Sequence, residues 1–168
     1  MNARVFADPL PPAGERPEPP VQLRLADGLL KATQTALRDS SGGIRESTVL
    51  WAGRPIDGSA ALVSHLLLPI FESRRDFLTI PKDERIKIAA YLRAEGLLAF
   101  GDLHTHPGHA FLSDPDRDRP FSQRDGFYAI VIPDFGKRAA GEGWRFYEAR
   151  AGLWHEVEPA RRIDGWPL

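Results

Sequence analysis

His104 and His106 stand two residues apart in Gly101-Asp102-Leu103-His104-Thr105-His106-Pro107. They follow the apolar run Gly96-Leu97-Leu98-Ala99-Phe100, which reads as a strand. Residues two apart on a strand share a face, so the two imidazoles are presented together, as metal coordination requires. Pro107-Gly108 breaks the strand and turns the chain. Ser113 and Asp116 lie beyond this loop, and Asp116 is placed to supply a third ligand. Two neutral imidazoles and a carboxylate form a common catalytic zinc set that leaves a fourth position for water. Taken alone, the His-x-His pair is almost equally well read as two solvated histidines before a polar loop.

The full pattern is more specific. His-Thr-His-Pro, a short loop and Ser-x-x-Asp together resemble the metalloprotease signature of the JAMM/MPN+ (JAB/Mov34/PAD-1) family. That signature also has an upstream glutamate on a strand ending in small residues and glycine. Glu46-Ser47-Thr48-Val49-Leu50-Trp51-Ala52-Gly53 is similar to it. The run Asp83 to Gly96, a helix pattern leading into the His strand, also resembles the family's arrangement. The likeness spans residues 45–136. The loop Pro107 to Leu112 is one residue shorter than the family's usual spacing, which leaves Asp114 and Asp118 beside Asp116 as candidate third ligands.

The resemblance implies an α/β fold: a single MPN (JAMM) domain with a central mixed β-sheet flanked by helices and a cytidine-deaminase-like architecture. It implies Zn2+ held by His104, His106 and Asp116, with a bound water acidified toward neutrality. Glu46, alone an unremarkable surface glutamate, becomes the general base that takes the water's proton. Ser113 becomes a hydroxyl donor to the oxyanion, unless it merely caps a turn. Family members with all five residues are mostly peptidases or isopeptidases that cleave after the C-terminus of a ubiquitin-like protein, in processing or deconjugation. The expected partner is therefore such a protein and its conjugates, its tail added as a strand to a sheet edge. The short stretch between Glu46 and the His strand leaves little room for the insertions of eukaryotic deubiquitinases, and resembles compact bacterial members. Those occur beside activating and conjugating enzymes, including in antiviral defence systems. Two other classes stay open: a non-catalytic MPN scaffold, against which the intact five residues argue, and a hydrolase of small amide conjugates.

Composition narrows the field. The chain has 168 residues, 42% hydrophobic and 27% charged, as one soluble globular domain would. A net charge of -1 implies no nucleic-acid partner. Zero cysteines exclude thiolate zinc sites, a cysteine nucleophile and the Pro-Cys-x-x-Cys segment of zinc deaminases. There is no His-Glu-x-x-His motif and no phosphate-binding glycine loop. No apolar run has membrane-spanning length and no secretory signal pattern is visible, so a cytoplasmic location is expected.

Residues 1–22 carry six prolines in little hydrophobic pattern and read as a tail or arm; 23–168 read as the metalloprotease domain. Along the domain, helix patterns cover Leu25 to Arg38 and Asp83 to Gly96, the second with Ile86, Ala89, Ala90 and Arg93 in one row and Ile88 and Leu92 widening the stripe. Strands are expected at Ile44 to Gly53, Ala60 to Ile70, Arg74 to Ile80 and Phe127 to Pro133, with a terminal hairpin around Ala151-Gly152. Ser122 to Asp125 reads as a helical start. His65 belongs to a strand rather than to the site. Thr105 faces away from the histidines, Asp102 faces with them as a partner for an imidazole N–H, and His109 is a loop residue that is exposed or touches substrate. Trp51 and Phe111 are read as core or as lining a groove near the site.

Overall fold

The computed structural model describes residues 22–167. The tail or arm expected at the N-terminus thus lies outside the described residues as far as residue 21, and Gln22 already opens a strand. The elements run β1 (Gln22–Leu25), α1 (Leu29–Ser41), β2 (Thr48–Pro55), β3 (Ala60–Leu67), β4 (Glu72–Ser73), β5 (Leu78–Thr79), α2 (Lys82–Glu95), β6 (Leu98–Thr105), α3 (Asp114–Asp118), β7 (Tyr128–Ile132), β8 (Arg145–Arg150), β9 (Leu153–Val157) and β10 (Ile163–Asp164).

Eight strands form one mixed sheet in the order β10-β1-β3-β2-β6-β7-β8-β9, while β4 and β5 pair as a separate hairpin. β2 alternates strictly: Val49 and Trp51 join the core beneath α1, whereas Leu50 and Ala52 pack against Ile88 and Leu92 of α2. The two longer helices therefore cover opposite faces, and the chain is the mixed α/β domain expected. Helix α1 presents Leu29, Thr33 and Leu37 inward, and Trp51 donates its indole N–H to the Thr33 hydroxyl at 2.9 Å. Trp51 is thus core, not groove.

Centrally, β6 pairs antiparallel with β2 and parallel with β7. Register shifts beside Trp51, Ala52 and Gly53 show bulges where β2 meets both neighbours. Gly53 is obligatory there: a Cβ would stand 1.9 Å from the Leu62 carbonyl oxygen.

Several expected boundaries move. Leu25 ends β1 instead of starting α1, because Gly28, at φ 77°, turns the chain immediately before the helix. The Glu46 strand begins at Thr48, so Glu46 precedes it. Arg74 to Ile80 is not one strand but a turn and the second arm of the β4–β5 hairpin. Ser122 to Asp125 is not helical. The helix lies earlier, at Asp114–Asp118. On α2 the buried row is Ile88 and Leu92, while Ile86 is 52% exposed.

Candidate metal centre

The site forms where β6 ends. Thr48 of β2 lies directly opposite His104, and Val131 of β7 flanks it on the other side. His106 follows β6 and keeps its place in the ladder, donating its backbone N–H to the Ile132 carbonyl at 2.9 Å. Its own carbonyl accepts from Phe135 N–H at 2.8 Å, and the Gly108 carbonyl accepts from Asp134 N–H at 3.1 Å. Asp134 and Phe135 both have positive φ (53° and 54°), a conformation that costs non-glycine residues on the order of 1–3 kcal/mol each. This turn fixes the backbone immediately after the second histidine. Thr105, on the other face, is fully buried and accepts the Ser47 backbone N–H at 3.0 Å, a structural role as expected.

Asp116 arrives on α3, whose start is a capping box. Ser113 N–H and its hydroxyl both donate to Asp116 Oδ2, at 2.9 and 2.6 Å, while Asp116 N–H donates back to the hydroxyl. The Ser-x-x-Asp spacing is thus the spacing of an N-cap and its third helical residue. Asp114, by contrast, is 91% exposed in its side chain and faces Arg117.

The ligand atoms of His104, His106 and Asp116 lie within 4.8 Å of one another. Asp116 Oδ2 stands 3.4 Å from His104 Nε2 and 3.3 Å from His106 Nε2. Ligand bonds of about 2.0–2.2 Å at a tetrahedral angle hold donor atoms about 3.3 Å apart. His104 Nε2 is buried and has no hydrogen-bond partner. Donor chemistry, spacing and an orphaned buried nitrogen all fit a metal ion. Neither Asp114 nor Asp118 belongs to this group.

Around the three, Glu46 is buried with Oε1 3.9 Å from His106 Nε2. Its backbone N–H donates to the Arg74 carbonyl at 3.0 Å, tying it to the β4–β5 hairpin. Burial pushes the Glu46 carboxyl up to about 7; the charge of His104 opposes this, and Asp116 and Asp76 reinforce it. Burial alone would lower His104, but Asp102 and Asp116 outweigh it and raise the imidazole to about 10. Asp116 responds oppositely: despite burial, His104, His106 and Ser113 hold it well below the usual carboxylate range. Asp102 Oδ1 stands 3.7 Å from His104 Nδ1, so Asp102 faces the ring nitrogen expected of it, at charge-pairing rather than hydrogen-bonding distance.

The group lies in a cleft of about 430 Å³. One wall is the hairpin with Phe77, Leu78 and Ile80; the other is the loop with Pro107, His109 and Phe111. Phe111 is 56% exposed, with its ring edge-on to His106 at 5.2 Å between centroids. His109 is exposed and lies in this wall, outside the ligand group. His65 is on β3, beside Ser64. Thr48, Asp76 and Arg85, which no sequence motif marks, also line the cleft. For Arg85 a signal existed: it shares the helical row of Ile88 and Leu92, where a charge is out of place on a sheet-facing stripe.

The chain is 25% identical over 139 residues to the probable metalloprotease y4jG of Sinorhizobium fredii, covering 78% of this chain and 84% of that protein. No family model matches. Its fold is shared with a protein from Desulfitobacterium hafniense known from a solution structure, at a TM-score of 0.60, 18% identity and coverage of 85% and 92% of the two chains. A JAB1/MPN domain protein from Archaeoglobus fulgidus aligns at a TM-score of 0.48, 20% identity and coverage of 85% and 98%, below the level from which a shared fold is argued. The metalloprotease relative and the metal-fitting His-His-Asp group are consistent with the JAMM/MPN family.

Proposed function

We propose that this chain is a zinc-dependent peptidase or isopeptidase that cleaves the bond after the C-terminal tail of a ubiquitin-like protein. The observation that carries the hydrolase reading is the convergence of His104, His106 and Asp116 on the floor of a cleft, with the Glu46 carboxylate at its side. The donor set of two imidazoles and one carboxylate matches open catalytic zinc sites, and zinc bound there would polarise a carbonyl and acidify water.

The chain's own residues do the rest. Burial raises Glu46 to about 7 in the metal-free cleft, and a cation bound beside it would favour the ionised, proton-accepting form. Glu46 accepts a proton from the attacking water and gives it to the leaving nitrogen. Asp102 holds negative charge behind His104, on its Nδ1 side. Ser113 holds Asp116 through its hydroxyl, and the same O–H, rotated away from that carboxylate, is the candidate donor to a developing oxyanion. The apolar walls suit an extended tail, and among the described residues β5 pairs only with β4, which leaves its other edge for a substrate strand. The choice of a ubiquitin-like substrate, and of activating and conjugating proteins as further partners, rests on the sequence resemblance.

The test uses ubiquitin-like proteins carrying a C-terminal peptide extension, with short amides alongside. Cleavage after the tail, abolished by a chelator and restored by zinc, is expected. Glu46→Gln should keep its metal and lose on the order of 10²–10⁴ in rate. Full activity in Glu46→Gln removes it from the mechanism. Turnover of short amides without any tailed protein would move the substrate to small conjugates.

A further inference from the structure

We propose that Arg85 is a positioning residue for the metal group: by gripping backbone carbonyls from two sides of the cleft, it holds the Asp116 helix against the two histidines. The proposal rests on the reading of that group as a metal site.

Helix α3 has five residues. Isolated helices shorter than about 12–15 residues are marginal in water, so α3 cannot hold its own shape. Its front is fixed by the capping box of Ser113 and Asp116. Its rear, at Arg119, runs into Pro120 and Phe121, which join no strand or helix. That rear is where Arg85 acts. Its Nη1 donates to the Pro120 carbonyl at 2.9 Å and its Nη2 to the Arg119 carbonyl at 3.3 Å. Its Nε donates to the Ile80 carbonyl at 3.3 Å, on the hairpin side. The guanidinium also lies 5.9 Å from the Phe121 ring centroid.

Placing a charge here is costly. Arg85 is half-buried; among the described residues no carboxylate stands at salt-bridge distance from it, and Asp102 acts on it only through its charge from further away. Burying a charge with no counter-charge in contact is unfavourable unless its donors are satisfied. Each of the three nitrogens of Arg85 donates to a backbone carbonyl, a spread that the planar fork reaches and a single ammonium nitrogen does not. The same strap is caught from the other side: Phe121 N–H donates to Asp102 Oδ2 at 3.3 Å, and the other oxygen of Asp102 faces His104. Arg85 and Asp102 thus clamp residues 119–121 between α2 and β6. Arg119 N–H reaches back to the Pro115 carbonyl at 3.1 Å, so the strap and the helix bearing Asp116 move as one piece. Partners that orient metal ligands typically contribute 10–100-fold in metal affinity.

The experiment titrates the full metal-free chain with cobalt(II), read by its visible absorption, in wild type, Arg85→Gln and Arg85→Lys. Amide hydrogen exchange at Arg117, Arg119 and Phe121 is followed in the same metal-free proteins. Both variants should bind cobalt at least about ten-fold more weakly, and those amides should exchange faster while β6 and β7 stay protected. Wild-type affinity in Arg85→Gln overturns the proposal. So does its recovery in Arg85→Lys, since charge rather than the fork would then be what matters. If neither variant folds, Arg85→Met, which keeps the apolar stem and removes the donors, is titrated and exchanged in their place, and wild-type cobalt affinity in it overturns the proposal. A wild type that binds no cobalt defeats the metal reading, and the exchange comparison still judges Arg85.

Discussion

In the metal-free chain His104 keeps its proton well above neutrality, because Asp102 and Asp116 outweigh the cost of burying it. A cation must displace that proton, since only a neutral imidazole is a ligand. The folded value of about 10 lies above the ordinary 6.5. The stability that this proton brings is therefore complete below 6.5 and lost as pH rises through about 10. Two consequences follow in that window: the metal-free protein should weaken toward alkali, and metal affinity should climb. At about pH 8, above the Glu46 value of about 7, metal binding should release about one proton. Calorimetry in two buffers of different ionisation enthalpy measures this directly, and zero release would place the proton elsewhere. Ser113 has a different signature, because its hydroxyl serves the helix start as well as the site. Ser113→Ala should lose about 1 kcal/mol of stability for the missing cap. It should also slow turnover on the order of 10²–10³ with metal retained, as measured by melting, metal content and kcat. Unchanged kcat would confine Ser113 to the cap.

Elements place these side chains, and β2 carries the largest share. Its bulges bring Leu62 against Gly53 so closely that only glycine fits. Gly53→Ala should cost at least about 1–3 kcal/mol, or prevent folding, in a denaturant titration. A neutral result would mean that the β2–β3 bulge is not needed. The same strand shows why parts of the chain were legible in sequence. The His-x-His pair could be read because period-two alternation on β6 fixes a shared face, and Gly96 ends α2 where a left-handed C-terminal glycine belongs, at φ 63°. The group of His104, His106 and Asp116 followed from spacing and family likeness together. Helix α3 shows no hydrophobic period in its five polar residues; its sign in the sequence is the Ser-x-x-Asp capping box, where Ser113 reads as a turn cap as well as an oxyanion donor. The strands β1 and β10 were missed because four and two residues carry too little alternation to register, and their parallel pairing joins distant parts of the chain. The buried row of α2 departs from the apolar pattern for a related reason. Ile86 follows the apolar pattern but lies on the open side of the helix, while Arg85 takes the sheet-facing place.

At the scale of the whole molecule, one sheet covered by α1 on one face and α2 on the other leaves a cleft at the end of β6, roofed by the β4–β5 hairpin and the loop after His106. Among the described residues no helix is long and apolar enough to cross a membrane. The cleft gathers Glu46, Asp76, Asp102 and Asp116 around two histidines, a concentration of carboxylates that a bound cation would neutralise. The claim on which everything else depends is that a cation belongs there. Metal content per chain, by mass spectrometry on protein purified without added metal and again after zinc is supplied, tests it most directly beside His106→Ala. About one metal ion per wild-type chain is expected, zinc when zinc is supplied, and little in the variant. No metal in either protein after zinc is supplied, or equal metal in both, would contradict it.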